Sequence, residues 1–207
     1  MFKKISYLTL AFAFIPLVLG WASLPVHASV EIGKIAPTFT ATDIHGNTFS
    51  LEDHKGKIIV LEWTNHLCPF VKKHYVTNNM QNTQKIATDN GVIWVSIVSS
   101  AEGNLGHVSP EEAIEIEKQA NAHATTRILD PSGEIGRLYA AKTTPHMFII
   151  SAEGKLAYAG AMDGRPSPNP ASIKGATNLV LAALDDLSTG RVVQIPRTAP
   201  YGCAVKY

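Results

Sequence analysis

Two cysteines are the residues of this sequence best suited to chemistry, and they lie far apart in the chain. Cys68 follows the apolar run Lys57–Trp63 and immediately precedes Pro69, whereas Cys203 lies in the last segment. Proline favours the first position of a helix, so the pattern predicts a buried strand and then a helix with Cys68 as its N-cap. Helix N-termini lower thiol pKa values from about 8.5 to about 3.5–7.5. We therefore predict that Cys68 is a reactive thiol; the alternative is a buried, inert cysteine.

Several polar or conformationally special residues are candidates to surround this thiol. Thr144-Pro145 stands just before an apolar run, and an X-Pro bond in the cis form would bring that loop close to Cys68. Asn65 can hydrogen-bond either the sulfur or its loop. Glu62 interrupts an apolar strand, so it is predicted to be a buried proton shuttle beside the thiol or to point to a polar edge.

Histidines near Cys68 raise a second hypothesis, metal binding. His66 lies two residues before Cys68, and His146 follows the Thr-Pro step. Thiolate and imidazole together suit copper or zinc. The spacing contains no repeated ligand pattern, so a copper- or zinc-binding protein using Cys68 with His66 or His146 is the alternative to redox chemistry.

Composition limits the partners and the number of domains. The chain has 207 residues, with 18 Lys and Arg against 17 Asp and Glu, and a net charge of +1. This length fits one domain, and the balanced charge argues against nucleic acid as a partner. Two cysteines are too few for a disulfide scaffold or a four-thiolate zinc site.

The first residues have the pattern of a secretory signal. Lys3 and Lys4 precede an apolar run, and Val26-His27-Ala28 supplies the small residues of a cleavage site. We predict a signal peptide at 1–28, with no stable membrane insertion after cleavage; an uncleaved transmembrane anchor is the alternative. The protein would then be secreted or periplasmic, where a disulfide can persist.

The remaining chain alternates strand and helix signals before a late hairpin. Its predicted elements are strands at Lys57–Trp63 and Val92–Ser99, helices starting at Ser109-Pro110 and at Asp130-Pro131, a hairpin of Met147–Ser151 with Lys155–Gly160, and a helix at Ala171–Leu187. This order predicts an α/β fold with a parallel core and antiparallel strands at one edge. We place one domain at 29–190 and an extended tail at 191–207.

Combined motifs give the chain a family resemblance. They are GKIAPTF from Gly33, GKIIVLEW ending at Trp63, Cys68-Pro69, Asp130-Pro131 and Thr144-Pro145. Over roughly 31–188 the chain resembles the thioredoxin-fold redoxins, and more narrowly the peroxiredoxin-like alkyl hydroperoxide reductase/thiol-specific antioxidant group. The resemblance implies a thioredoxin-like three-layer fold, a central mixed β-sheet flanked by helices, with an N-terminal β extension. It also implies that Cys68 is the redox-active or peroxidatic thiol and that Thr144-Pro145 lines its pocket.

The chain departs from this family at informative positions. Cys68 is followed by Pro69-Phe70-Val71, so the vicinal second thiol of a Cys-x-x-Cys reductase is missing. The proline and threonine that precede a peroxiredoxin cysteine are Leu61 and Asn65 here, and Thr64 is the nearest substitute.

Cys203 is the candidate for the missing resolving thiol. At about 3.3 Å per residue, the tail is long enough to cross a domain of this size. A Cys68–Cys203 bond within a chain, or between the chains of a homodimer, would match the C-terminal resolving cysteine of two-cysteine peroxiredoxins. We predict a thiol oxidoreductase without a cofactor that acts on peroxide or a disulfide and is reduced by a thioredoxin-like thiol donor. The alternative is a non-catalytic module in which the same disulfide is only structural.

Overall fold

A computed structural model describes residues 30–207, and the predicted signal peptide at 1–28 lies outside them. The strands are β1 (Thr40–Thr42), β2 (Thr48–Ser50), β3 (Ile59–Trp63), β4 (Ile93–Val98), β5 (Thr126–Leu129), β6 (Thr143–Thr144), β7 (His146–Ile150), β8 (Leu156–Gly160) and β9 (Cys203–Ala204). The helices are α1 (Pro69–Val76), α2 (Asn79–Asp89), α3 (Pro110–Ala120), α4 (Glu134–Leu138) and α5 (Leu179–Ser188). Within this range, no helix is both long and apolar enough to span a bilayer.

A five-stranded mixed sheet forms the centre, in the order β5-β4-β3-β7-β8. The first three of these strands are parallel, and β7 and β8 add antiparallel edges. In the register of the central strand, Leu61 lies opposite Val95 on one side and Phe148 on the other. The predicted parallel core with a late antiparallel hairpin is therefore confirmed.

Strand alternation divides the apolar core into two layers. Leu61 and Trp63 face a cluster that also contains Phe49 from β2 and Ile135 from α4. Val60 faces the opposite cluster, which α2 and α5 close. Since side chains alternate across a strand, the uninterrupted apolar run of β3 is what a strand buried on both faces requires.

The helix signals around Cys68 and Ser109 are confirmed. Helix α1 begins at Pro69 with Cys68 as its N-cap. Helix α3 begins after Ser109, whose side chain and that of Glu112 form the predicted capping box.

The start predicted at Asp130-Pro131 is wrong by several residues, because α4 begins at Glu134. The Asp130 carboxylate accepts the N–H groups of Ile135 and Gly136, at 3.3 and 2.9 Å. Asp130 therefore caps the helix from across a turn, which Gly133 completes with a φ of 70°.

The last helix is also shorter than predicted, because α5 begins at Leu179 rather than Ala171. The preceding residues form a 3-10 turn at Pro170–Ile173 and a reversal at Gly175, where φ is 72°. Asn178 then accepts the N–H of Leu181 at 2.9 Å and caps the true start.

The tail is extended, and backbone hydrogen bonds fasten it at several points. Thr198 donates its N–H to the Ala159 carbonyl at 3.2 Å, and β9 pairs with β6 in antiparallel register. Farther along, the Lys206 carbonyl accepts the N–H of Ala101 at 2.8 Å. The tail thus runs back across the domain towards the end of the sheet that carries Cys68.

Glu62 is fully buried between the sheet and the helices, not at a polar edge. Its carboxyl oxygens accept four hydrogen bonds, from Trp94 Nε1 at 2.8 Å, Gln84 Nε2 at 3.0 Å, Tyr75 Oη at 3.0 Å and Ser96 Oγ at 3.1 Å. The donors come from β4, α1 and α2, so this one side chain joins the sheet to both helices.

Replacing Glu62 with leucine should destabilise the fold strongly. Each buried donor left without an acceptor costs roughly 1–3 kcal/mol, so we expect the free energy of unfolding to fall by at least about 3 kcal/mol. Urea denaturation measures this loss. The matched control is Glu102→Leu at an exposed position, where the change should stay within about 0.5 kcal/mol. A loss below about 1 kcal/mol for Glu62→Leu would contradict the role of this network.

Candidate active site

Cys68 lies at the junction of β3 and α1, almost completely enclosed. Its side chain is 2% exposed. The Sγ atom is 3.1 Å from the carbonyl oxygen of Thr144, to which the thiol donates. The peptide bond between Thr144 and Pro145 is cis. The loop before β7 therefore passes directly against the sulfur.

The tail brings Cys203 to the same place. In the β6–β9 pair Cys203 lies opposite Thr144, the residue whose carbonyl contacts Cys68. The two thiols are close enough for each to shift the pKa of the other. Both cysteines are free thiols, with Cys68 buried and Cys203 half-buried. Two thiols from distant parts of one chain thus form a neighbouring pair.

Gly202 makes this approach sterically feasible. A Cβ atom at Gly202 would lie 2.0 Å from the Thr144 carbonyl oxygen, far inside van der Waals contact. Its φ of 139° also lies in a region that favours glycine. The residue before Cys203 must therefore lack a side chain for the tail to reach this depth.

The two thiols differ in acidity because of their different surroundings. Burial raises the pKa of Cys68, but the Cys203 thiol, the Thr144 side chain and the N–H groups of Cys203 and Val71 together bring it below its ordinary value. Burial and the neighbouring Cys68 raise the pKa of Cys203 to about 11. Cys68 is therefore the thiol that ionises first, and Cys203 remains the proton-bearing partner.

Thr64 and Asn65 lie near Cys68 in sequence but serve other contacts. Asn65 Nδ2 donates to the Leu105 carbonyl at 2.9 Å, and its Oδ1 accepts the N–H of Leu67 at 2.9 Å. Of the two options for Asn65, the structure thus has the loop rather than the sulfur. Thr64 lines a cavity of about 120 Å³ between α1 and α3, together with His66.

The histidines considered as metal ligands are not gathered around Cys68. Within residues 30–207, no three or more His, Cys, Asp or Glu side chains are arranged to hold a metal ion. His146 Nδ1 accepts the N–H of Lys142 at 3.3 Å. Burial, Lys142 and Arg197 lower the pKa of His146 to about 3, so its ring is neutral at pH 7.

A buried charged cluster beside the site escaped the sequence analysis. Lys73 and Asp163 are 0% and 2% exposed and form an ion pair at 3.2 Å. Lys73 also donates to the Arg165 carbonyl at 2.7 Å, and Tyr201 donates its hydroxyl to Asp163. The signal available in the sequence is a lysine at a core-facing position of α1, which needs a buried acidic partner. The Arg165 side chain itself is exposed.

Comparison with known proteins identifies the family. The sequence profile of the AhpC/TSA family matches residues 32–159. The chain belongs to the AhpC/TSA family. The family resemblance inferred from the sequence motifs is thereby confirmed.

Relatives support the enzyme class and the fold. The thiol-disulfide oxidoreductase ResA of Bacillus thuringiensis is 26% identical over 134 residues, covering 61% of this chain and 68% of ResA. An uncharacterized conserved protein from Geobacillus kaustophilus has a TM-score of 0.71 and 28% identity, covering 87% of this chain and 94% of that one. The thioredoxin domain of a thiol-disulfide oxidoreductase from Bacteroides vulgatus has a TM-score of 0.52 and 20% identity, covering 71% and 98%. The predicted class, a thiol oxidoreductase with a thioredoxin-like fold, is confirmed.

The acidity of Cys68 should depend on the hydrogen bond from Cys203. Cys203→Val keeps the site buried but removes the donor, so the thiolate of Cys68 loses stabilisation and its pKa should rise. Cys203→Ser retains a donor and is the matched control. Thiolate absorbance against pH reports the Cys68 pKa in both single-cysteine variants. The assignment of Cys203 as donor is wrong if the pKa of Cys68 in Cys203→Val is equal to or lower than its pKa in Cys203→Ser.

Proposed function

We propose that the protein is a thiol-disulfide oxidoreductase whose redox pair is Cys68 and Cys203 of the same chain. The observation that carries the proposal is the register of β9, which pairs Cys203 with Thr144, the residue whose carbonyl oxygen accepts a hydrogen bond from the Cys68 thiol. This arrangement supplies the second thiol that the Cys68-Pro69-Phe70-Val71 segment lacks. The disulfide activity named for ResA of Bacillus thuringiensis supports the same reaction class.

The reaction consists of two exchanges at sulfur. The Cys68 thiolate attacks one sulfur of a substrate disulfide, forming a mixed disulfide and releasing the other substrate sulfur as a thiolate. Cys203 loses its proton to the released thiolate and attacks the Cys68 sulfur. The Cys68–Cys203 disulfide forms and the second substrate thiolate leaves. Two electrons have passed from the protein to the substrate, and a thioredoxin-like thiol donor would restore the dithiol.

The order of attack follows from the acidity of the two thiols. The pKa of Cys68 is below its ordinary value, and the pKa of Cys203 is raised to about 11. Since the thiolate is the nucleophile, Cys68 attacks the external substrate and Cys203 resolves the intermediate. Within this scheme Thr144 and Pro145 form the wall beside the Cys68 sulfur, Asn65 holds the loop that precedes Cys68, and Thr64 lines the adjacent cavity.

Disulfide rather than peroxide is the oxidant that the surroundings favour. The polar groups of Asn65 are committed to Leu105 and Leu67, which leaves them unavailable to align a peroxide. Peroxide chemistry at Cys68 would give a sulfenic acid and an alcohol or water, and Cys203 would then displace water to form the same disulfide. The two oxidants therefore converge on one oxidised protein, and their relative rates distinguish them.

Export is part of the proposal. Residues 1–28 have the basic start, apolar run and small-residue cleavage site of a secretory signal. A secreted or periplasmic location also suits a protein whose oxidised form is a disulfide. The mature protein should begin at Ser29, which mass spectrometry of the chain recovered from outside the cytoplasm would show.

The central test uses a small aromatic disulfide, dithiobis(nitrobenzoate), with the reduced mature protein. Wild type should release both nitrobenzoate thiolates and end with a Cys68–Cys203 disulfide, identified by peptide mass. Cys203→Ser should release one and retain the other as a mixed disulfide on Cys68. Cys68→Ser should react at least about tenfold more slowly, because its remaining thiol is rarely ionised at neutral pH.

A parallel reaction with hydrogen peroxide identifies the oxidant. Cys203→Ser should accumulate an oxygen adduct on Cys68 more slowly than the mixed disulfide forms at equal reagent concentration. Faster oxidation by peroxide would overturn the disulfide assignment in favour of a peroxidase. If Cys68 remains alkylatable after both reagents, the proposed redox pair is wrong, and a structural or metal-binding role replaces it.

A further inference from the structure

Tyr201, two residues before Cys203, binds in a site formed by Phe70, Lys73 and Asp163, which we call the Tyr201 seat. Its ring meets Phe70 of α1 edge-on, with the centroids 5.8 Å apart. The ammonium group of Lys73, on the same helix, lies 4.9 Å from the centroid of the Tyr201 ring. The Tyr201 hydroxyl donates to Asp163. An aromatic contact, a cation–π contact and a charge-assisted hydrogen bond therefore converge on one tail residue.

The partners of Tyr201 are rigidly held. The Lys73–Asp163 ion pair is almost completely buried, and the Arg165 carbonyl accepts a further hydrogen bond from Lys73 at 2.7 Å. The N–H of Arg165 in turn donates to Asp163 at 2.9 Å. Burial lowers the pKa of the neighbouring His74 to about 4, so Lys73 is the cation that faces Asp163. A buried ion pair adds little net stability, but its fixed partners can specify where a third group binds.

The seat and the nucleophile belong to one short helix. Cys68 is the N-cap of α1, and Phe70 and Lys73 follow in its first two turns. The tail contacts this helix at Tyr201, and after only Gly202 it pairs Cys203 with Thr144, whose carbonyl contacts Cys68. A displacement of Tyr201 must therefore move Cys203 relative to Cys68.

We propose that Tyr201, bound to the buried Lys73–Asp163 pair, is a positioning residue that sets how readily Cys203 resolves intermediates on Cys68. With Tyr201 seated, β9 holds Cys203 opposite Thr144, whose carbonyl contacts the Cys68 sulfur, and Cys68 is only 2% exposed, so the site is arranged for resolution. An external disulfide reaches Cys68 only when residues 201–203 move aside. The strength of the Tyr201 seat thus sets the balance between attack on a substrate and closure of the internal disulfide. This inference rests on the proposed function.

Equilibration with glutathione measures the positioning directly. One oxidised glutathione and the protein dithiol give the Cys68–Cys203 disulfide and two reduced glutathiones, and alkylation with mass analysis counts each form. Tyr201→Phe keeps the ring contacts and loses the hydrogen bond to Asp163. Its equilibrium constant for the internal disulfide should fall by about tenfold, the loss expected for one hydrogen bond to a charged group. The equilibrium constant of Tyr201→Ala should fall further, because this variant also loses the ring contacts.

A second readout separates positioning from general destabilisation. In the Cys203→Ser background, where no internal disulfide forms, Tyr201→Ala should make alkylation of Cys68 by iodoacetamide at least about fivefold faster because the cover is weakened. Tyr139→Phe is the matched control, since it removes a tyrosine hydroxyl that donates to the Pro37 carbonyl at 2.6 Å, outside the Tyr201 seat. Its disulfide equilibrium and alkylation rate should both stay within about twofold of the parent protein.

Gly202→Ala provides an independent disturbance of the same segment. Its Cβ would collide with the Thr144 carbonyl oxygen, so it should reduce the internal disulfide while leaving the Tyr201 seat chemically intact. The positioning role is overturned if Tyr201→Phe and Tyr201→Ala both close the disulfide within twofold of wild type. Failure of the wild type itself to form the disulfide with glutathione would instead overturn the proposed function.

Discussion

The pairing of Cys203 with Thr144 across β6 and β9 is the contact on which the site depends, because it brings the two thiols together. The Thr144 carbonyl contacts the Cys68 sulfur at 3.1 Å, so a strand that pairs with Thr144 runs beside that sulfur. The register leaves no space for a side chain at the preceding residue, and Gly202 meets that condition. A shift of one residue would turn the Cys203 side chain to the opposite face of the pair.

Helix α1 links this contact to the rest of the molecule. Its start, fixed by Pro69, places Cys68 at the end of a fully buried strand. Farther along, Tyr75 donates to Glu62 in the sheet, while Lys73 pairs with Asp163 in the loop after β8. The helix is therefore held from the sheet and from the loop at once. Cys68, at the start of this helix, is therefore held in a fixed position, and thiol exchange requires such fixed geometry.

Local signals predicted most of the fold and the position of the candidate nucleophile, Cys68. The apolar run before Cys68, the step to Pro69 and the capping box at Ser109 each depend on residues within a few positions, and each is confirmed. The predicted starts of α4 and α5 are wrong because each true start depends on a cap or a chain reversal that the local pattern does not show. Asp130 caps α4 from across a turn, and Asn178 starts α5 only after a reversal at Gly175.

The remainder of the candidate site depends on contacts between segments far apart in sequence. Tail length shows only that Cys203 can reach Cys68; it carries no information about the pairing partner on β6. Likewise, the helical position of Lys73 indicates a buried acidic partner, but nothing near it in the sequence identifies that partner as Asp163 or adds Tyr201. Glu62 stands out in the sequence as a polar residue in an apolar strand, but its four donors lie on three other elements.

The long separation of the two thiols ties oxidation to conformational stability. A Cys68–Cys203 bond closes a loop that contains most of the domain, and in the chain-entropy account such a loop restricts the unfolded chain by about 4–5 kcal/mol. Linkage makes the effect reciprocal: whatever the bond adds to the stability of the fold, the fold adds to the resistance of the bond to reduction. In the unfolded chain the two thiols meet less often, so the same disulfide is easier to reduce. A loss of folded structure should therefore also make the proposed pair a weaker reductant.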